Sequence, residues 1–375
     1  MTEEFDPSEP PTSFYEFIAL RRVDAAQGSS TARELRYSTI YPPRAFGSAI
    51  AFGGSSLAPV AQAAYCALQE IAGDAASASA YSAYSFQGCF AGPARLDRLL
   101  DIHVKTIRWT RTFVTFLITV SQTDRKGNTK KTMVATFDFI RQGPALLEFG
   151  PVPKDPVTGL PWSPPDNLRS YYDEAAQRAE EGVRSPRALA IEGLAITGWE
   201  EILEIRMPPE SLSAQTMGCL ISSLPTTQDK LRPTEKRASD WQRYTTPFNT
   251  DAIAKDAFAQ SGTGITPASA NIAAMCHVSD TRLAWMAPCT AVIPIKLLEF
   301  TATLDFSIRF HRSAKDLHAD EWFLREMRSV TAAEGRSFGE SRFWDRQGRL
   351  IVTMSQQCLL RPHRADDIKA IKLKL

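Results

Sequence analysis

Two segments of the chain are apolar on nearly every face of a helix. The first follows Phe52-Gly53-Gly54 and continues to residue 72, and the second covers residues 269–286. A helix that is apolar all round is buried inside a domain rather than laid on its surface. The glycines permit a tight turn, and Ser55 or Ser56 is expected to cap the first helix. The pattern therefore predicts two buried helices.

Segments rich in β-branched and aromatic residues surround each predicted helix and are bounded by turn residues, which is typical of strands. Those in the first half cover 34–40, 85–90, 101–108, 112–122 and 131–141. Those in the second half cover 200–207, 300–311, 321–330, 337–345 and 349–360. Each half therefore combines one buried helix with an antiparallel meander.

The two halves repeat one plan. Three pairs of landmarks have nearly the same separation along the chain: Gly127 and Gly348, Phe90 and Phe310, and Phe113 and Phe338. Such self-similarity indicates two copies of one domain. A helix wrapped by an antiparallel sheet, present twice, predicts an α+β protein with a tandem hotdog fold, in which two sheets each wrap a buried helix.

Composition suggests four parts. Residues 1–13 are acidic and rich in Pro and Ser, which predicts a mobile tail. Residues 14–148 form the predicted N-terminal hotdog domain, and 197–375 form the C-terminal one. The segment 149–196 is a linker that prolines stiffen. A helix predicted over 166–181 carries one apolar stripe, formed by Leu168, Tyr171, Tyr172, Ala175 and Ala179.

Charge and motif content exclude several classes. The net charge of +1 argues against a nucleic-acid-binding protein, which normally carries a basic stripe. No apolar run approaches the ~20 residues of a membrane span, and the acidic start lacks a signal-peptide core. The six cysteines follow no ligand spacing, which favours buried free thiols in a reducing, cytoplasmic setting. Nucleotide-binding and metalloprotease motifs are absent, and no two histidines are spaced to bind a metal, so we expect neither a cofactor nor a metal.

Three segments resemble the acyl-CoA thioesterase II family, whose members are double-hotdog enzymes that hydrolyse fatty acyl-CoA thioesters. They are Val278-Ser279-Asp280, the strand that begins Ala302-Thr303-Leu304-Asp305, and the strand that contains Ser355-Gln356-Gln357. Phe52-Gly53-Gly54 also matches the family. One departure is clear, because the family's first-domain His-Ser-x-His motif is replaced by Tyr84-Ser85-Phe86-Gln87.

The resemblance implies a site in the C-terminal domain. Asp280, Thr303 and Gln356 would together position the attacking water, with Asp280 as the proton acceptor. Gly53, Gly54 and Tyr84 are the candidates for oxyanion or substrate contacts. Coenzyme A would enter only as part of the substrate, which is an acyl-CoA or a carrier-bound acyl or polyketide chain.

Alternatives remain open at this point. The chain could be a hotdog enzyme recruited to isomerisation, cyclisation or dehydration in specialised metabolism, or a non-catalytic acyl-binding protein. The terminal Leu373-Lys374-Leu375 imperfectly matches a peroxisomal Ser-Lys-Leu address, so a peroxisomal location competes with a cytoplasmic one. Hotdog sheets have open edges that often pair, which allows a homo-oligomer.

Overall fold

The computed structural model describes residues 12–23, 34–45, 51–180, 202–217, 225–262, 264–293 and 297–363. The helices are α1 Phe14–Ile18, α2 Gly53–Ala72, α3 Ala75–Ser79, α4 Tyr171–Glu180, α5 Leu212–Gln215, α6 Thr250–Lys255, α7 Ala257–Ser261, α8 Pro267–Ser279 and α9 Met286–Thr290, with 3₁₀ turns at Pro165–Asn167 and Leu283–Trp285. The strands are β1 Leu20–Arg22, β2 Glu34–Thr39, β3 Tyr81–Phe90, β4 Asp101–Trp109, β5 Phe113–Thr123, β6 Thr129–Arg141, β7 Leu203–Arg206, β8 Ala238–Tyr244, β9 Leu298–Phe310, β10 Phe323–Ala333, β11 Arg336–Asp345 and β12 Leu350–Pro362.

The predicted sheets are two halves of one 12-stranded sheet, in the order β1-β2-β4-β5-β6-β3-β9-β12-β11-β10-β8-β7. The halves have the same internal strand order and meet where β3 pairs antiparallel with β9, from Ser85 opposite Arg309 to Cys89 opposite Asp305. Because α2 precedes β3 and α8 precedes β9, each half repeats the same succession of elements. The predicted tandem hotdog fold of the α+β class is confirmed.

The two buried helices lie side by side and antiparallel. The beginning of α2 meets the end of α8, since Gly54 packs on the carbonyl of His277. Further along α2, Gln62 Nε2 donates to Gly264 O, just before α8 begins. Helix α2 is buried continuously from Gly54 to Leu68 and α8 from Ser269 to Ser279, as the apolar pattern predicts. Each end of the helix pair therefore combines one helix start with one helix end.

The start of α2 and the end of α8 differ from the sequence prediction. Helix α2 begins at Gly53, so Ser55 lies inside its first turn and is not the residue before the helix, as a capping serine would be. The Ser55 Oγ donates to Phe52 O. Helix α8 ends at Ser279, although the apolar run continues to residue 286. Arg282 adopts φ = 60°, which an α-helix cannot contain, so the remaining apolar residues form a 3₁₀ turn and α9.

The elements that were not predicted include the short helices α1, α3, α5, α6 and α7 and the strands β1 and β8. Strand β8 lacks an alternating pattern because polar residues on it are buried as well as apolar ones: Ser239 and Asp240 are fully buried beside Trp241. The remaining predicted strands are present with end shifts of a few residues.

The proline-rich segment packs on the outer face of the C-terminal half. Trp162 is buried with Trp241, Trp322 and Trp344, and its indole N–H donates to Glu326. Tyr171 on α4 is buried, whereas the side chains of Tyr172, Ala175 and Ala179 lie outside the described part. Linker residues 181–196, tail residues 1–11 and the terminal tripeptide also lie outside it.

The cysteines only partly follow the expectation of buried free thiols. Cys66, Cys276 and Cys358 are free and buried, whereas Cys89 is free and exposed. Cys289 is disulfide-bonded, which corrects the prediction for that residue. Among the described helices, none is both long and apolar enough to cross a membrane.

Candidate active site

Asp280 directly follows Ser279, the last residue of α8, and it is buried with 8% of its surface exposed. Its carboxylate accepts a hydrogen bond from Thr303 Oγ1 at 3.0 Å, from strand β9 of the same half. The end of a buried helix thus delivers a carboxylate to the inner face of the sheet.

A β-bulge turns Thr303 toward Asp280. In the pairing of β12 with β9, Gln357 lies opposite Asp305 and Cys358 lies opposite Thr303, so Leu304 is the extra residue. Side chains alternate between the faces of a strand, and Phe306 is buried in the core while Asp305 is exposed. The bulge shifts this alternation by one residue and places Thr303 on the inner face.

Gln356 on β12 is fully buried and joins the same group. One orientation of its amide satisfies both ends: Nε2 lies 3.1 Å from Asp280 Oδ1, and Oε1 lies 3.1 Å from the backbone nitrogen of Ala284. The orientation of an amide is assigned from its hydrogen-bond network, and here only one orientation of the Gln356 amide gives partners to both its oxygen and its nitrogen. The structure therefore brings together Asp280, Thr303 and Gln356, the three residues predicted to hold the water.

The start of α2 closes the site from the other half of the chain. The backbone N–H of Gly54 donates to the Asp280 carboxylate, which satisfies one of the N–H groups that a helix start leaves without an intrahelical partner. A Cβ added at Gly53 would lie 2.4 Å from Asp280 Oδ2 and 2.9 Å from Phe90 Cζ. Both glycines thus contact the site. The Gly54 N–H donates to the Asp280 carboxylate. An oxyanion role for Gly53 stays a prediction.

The environment of Asp280 makes it a stronger base than a free aspartate. Burial raises its pKa from 3.8 to about 7, although the hydrogen bonds from Thr303 and Gly54 act in the opposite direction. A general base works best when its pKa lies near the operating pH. Burial also raises the pKa of the neighbouring Cys358 thiol to about 12, so this thiol stays protonated and does not supply a thiolate nucleophile.

A buried group of three charges holds the chain just after Asp280. Asp240 on β8 accepts from Arg282 Nη2 at 2.6 Å and from Arg325 Nη2 at 3.0 Å, and all three side chains are almost fully buried. Arg325 Nη1 also donates to the carbonyl oxygens of Val278 and Thr281 at the end of α8. The left-handed conformation of Arg282 then turns the chain back so that the Ala284 N–H reaches Gln356.

His277 is a packed histidine rather than a second base. It is buried among the aromatic rings of Phe14, Phe17 and Phe52, and its Nδ1 lies 2.6 Å from the Tyr244 hydroxyl. Burial lowers its pKa to about 3, so the ring is neutral at physiological pH.

Tyr84 is not brought to the site. Its ring packs against Phe113, and its hydroxyl accepts from Arg108 at 3.4 Å. Phe113 precedes the buried Val114 on β5 and so points to the outer face of the sheet. Sequence reasoning missed two features of the site, the Ala284 N–H and the buried ion pairs of Asp240 with Arg282 and Arg325. A backbone donor and an ion pair between residues far apart in the chain leave no recognisable sequence motif.

Comparison with known proteins identifies the family of the chain. Residues 41–140 match the family model of the acyl-CoA thioesterase N-terminal domain, and residues 184–360 match that of the C-terminal domain. The chain is thus a thioester hydrolase in the general sense. It belongs to the acyl-CoA thioesterase family.

Solved structures share the fold along nearly the whole chain. The acyl-CoA thioesterase II TesB2 from Mycobacterium marinum aligns with a TM-score of 0.58 at 18% identity, covering 94% of this chain and 99% of that chain. A tesB protein of Mycobacterium avium subs paratuberculosis gives 0.54 at 16% identity, covering 89% and 95%. A hot dog fold protein of unknown function from Alicyclobacillus acidocaldarius gives 0.54 at 16% identity, covering 93% and 97%. At such identities these likenesses concern the fold.

Proposed function

We propose that the protein hydrolyses acyl-CoA thioesters by direct attack of a water molecule that Asp280, Thr303 and Gln356 hold. The observation that carries the proposal is the convergence of a carboxylate, a hydroxyl and an amide on one buried point where the two halves of the chain meet. Hydroxyl and amide groups can each donate and accept, so they can orient a water while the carboxylate takes its proton.

In the proposed reaction the water oxygen bonds to the thioester carbonyl carbon as its proton passes to Asp280. The carbon–sulfur bond then breaks, and the departing thiolate takes that proton, which restores the Asp280 carboxylate. The products are the carboxylic acid and coenzyme A, which enters only as part of the substrate. Base catalysis contributes about 10²–10⁴-fold, and positioning of the water adds to it.

The surroundings of the three residues favour an apolar acyl group. The Phe90 ring lies beside Gly53, and its centroid is 5.5 Å from that of Phe306, which in turn is 4.9 Å from that of Phe86. A row of aromatic rings next to the base suits a hydrocarbon or aryl chain, since it excludes water and offers apolar contact.

The test is thiol release from a panel of short, medium, long and aromatic acyl-CoAs. Wild type, Asp280→Asn and the matched control Asp305→Asn are compared, because Asp305 is an exposed acid on the strand that carries Thr303. We expect turnover to fall at least a hundredfold in Asp280→Asn and to be unchanged in Asp305→Asn. Equal turnover in all three proteins would overturn the proposed role of Asp280.

If no acyl-CoA is hydrolysed by the folded wild-type enzyme, the same comparison is made with acyl groups carried on the phosphopantetheine of a carrier protein. Turnover on the carrier alone would place the substrate in the carrier-bound class while the role of Asp280 is tested in the same way.

A further inference from the structure

A cavity of about 580 Å³ lies at the other end of the α2–α8 pair. Its walls include Tyr65 and Leu68 near the end of α2, Ala268 near the start of α8, and Phe248 and Leu317. Asp280 and Thr266 stand at opposite ends of α8, and 14 residues of helix span about 21 Å. The cavity is therefore separate from the candidate active site, and its volume is ordinary for a small-molecule site.

The cavity lies at the end of the helix pair where the internal repeat would place a second active site. The bulge between Thr303 and Asp305 on β9 has a counterpart between Ala83 and Ser85 on β3. Counted from these bulges along the paired strands, Thr303 corresponds to Ala83, and Gln356 corresponds to Phe137. At this end of the helix pair the positions of the hydroxyl and the amide therefore carry apolar side chains, and neither Ala83 nor Phe137 is among the residues that line the cavity.

Gly73 stands at the end of α2 as Asp280 stands at the end of α8, so the position that Asp280 holds carries no carboxylate at this end of the helix pair. Tyr65 on α2 instead contacts the counterpart of Gln356, because its ring packs on Phe137 and Phe139 with centroids 6.5 and 5.0 Å away. The Tyr65 hydroxyl is buried and makes no hydrogen bond of good geometry within the described residues, although Ser82 and the Ala83 N–H lie near it. Because these contacts fall outside good hydrogen-bond geometry, a bound acceptor would give the buried Tyr65 hydroxyl a better partner.

Charged groups lie among the residues that line this cavity. Lys315 is exposed, and no ion pair of Lys315 occurs among the described residues. Asp320 also lines the cavity, but its Oδ2 is engaged by the Phe248 N–H at 2.9 Å. The walls thus offer an aliphatic and aromatic surface, a hydroxyl donor and an available ammonium group.

We propose that this second cavity binds, without hydrolysing it, a carboxylic acid with an apolar chain. Its carboxylate would be recognised by both the Tyr65 hydroxyl and the Lys315 ammonium group, and its chain by Leu68, Phe248 and Leu317. The proposal depends on this cavity alone and not on the catalytic mechanism.

The experiment measures binding of decanoic acid by titration calorimetry in the Asp280→Asn background, where no turnover interferes. Ala268→Trp fills the cavity, and Ala257→Trp is the matched control, because Ala257 is exposed and does not line it. We expect one decanoate fewer per chain in Ala268→Trp than in the control. Equal stoichiometry in both folded proteins would overturn the proposal, as would the absence of saturable binding in the control.

Tyr65→Phe provides a second test that does not alter the shape of the cavity. We expect it to weaken decanoate binding at the second cavity about tenfold, the effect of one lost hydrogen bond to a charged acceptor. Lys315→Gln should weaken binding of decanoate but not of decanol. If the affinity for decanoate is unchanged in both variants, the proposed recognition is wrong.

Discussion

Replacing Asp280 by Asn should change how the stability of the protein depends on pH. Burial raises the pKa of Asp280 from 3.8 to about 7 in the folded state, so the folded protein holds a proton that the unfolded chain releases. The protonated Asp280 therefore stabilises the folded state. This stabilisation is fully present below about pH 3.8 and is lost as the pH rises through 7. A pKa rise of this size corresponds to about 4 kcal/mol between the two ends of that range.

The measurement is the free energy of unfolding in urea for wild type and Asp280→Asn at pH 5 and pH 8.5. All other titrating groups are shared, so their effect cancels in the comparison. At pH 5 the carboxyl group of Asp280 and the amide of Asp280→Asn are both uncharged, so the stability of Asp280→Asn relative to wild type at that pH is the reference. We expect the relative stability of Asp280→Asn to improve by several kcal/mol at pH 8.5. A stability difference that is the same at both pH values would refute the argument that Asp280 is buried with a raised pKa.

Three other predictions concern the same site. For the wild type, kcat/KM should rise with pH along a single ionisation near pH 7, and a flat profile between pH 5 and 8 would contradict the role of Asp280 as the base. Gly53→Ala should lower kcat/KM about a hundredfold, because the new Cβ displaces the carboxylate. Gly143→Ala, which meets no atom within 4 Å, is the control and should have no effect. Arg282→Ala should destabilise the protein by about 1–2 kcal/mol more than Arg282→Gly, since both lose the ion pair to Asp240 but only alanine is strained at φ = 60°. Equal urea midpoints for the two variants would show that the turn is not strained.

Much of the fold could be predicted because the two central helices are apolar on all faces. The repeat was also visible, since Gly127 and Gly348 both lie in the turns that join the last two strands of each half. The same composition concealed where α8 ends, because the apolar residues Leu283-Ala284-Trp285-Met286 follow directly after Arg282. Strand β8 was missed because Asp240 is buried through pairing with two arginines, and single-chain patterns treat a charged residue as exposed.

The candidate site was only partly readable from the sequence. Asp280, Thr303 and Gln356 were indicated by their order in short motifs, yet nothing in the sequence showed that a bulge at Leu304 is needed to turn Thr303 inward. The use of the Gly54 N–H by a carboxylate from the other half depends on helix packing across the repeat. Tyr84 was a candidate by motif position alone, and the alternation of side chains on β3 and β5 places it on the far face.

The most direct test of the central claim is a single turnover of an acyl-CoA by excess enzyme in water enriched in ¹⁸O. Mass spectrometry would then locate the label in the product and in the peptide that contains Asp280. Direct attack by water predicts one ¹⁸O atom in the released acid and none in Asp280. Label in the Asp280 carboxylate would reveal an anhydride intermediate and contradict the account.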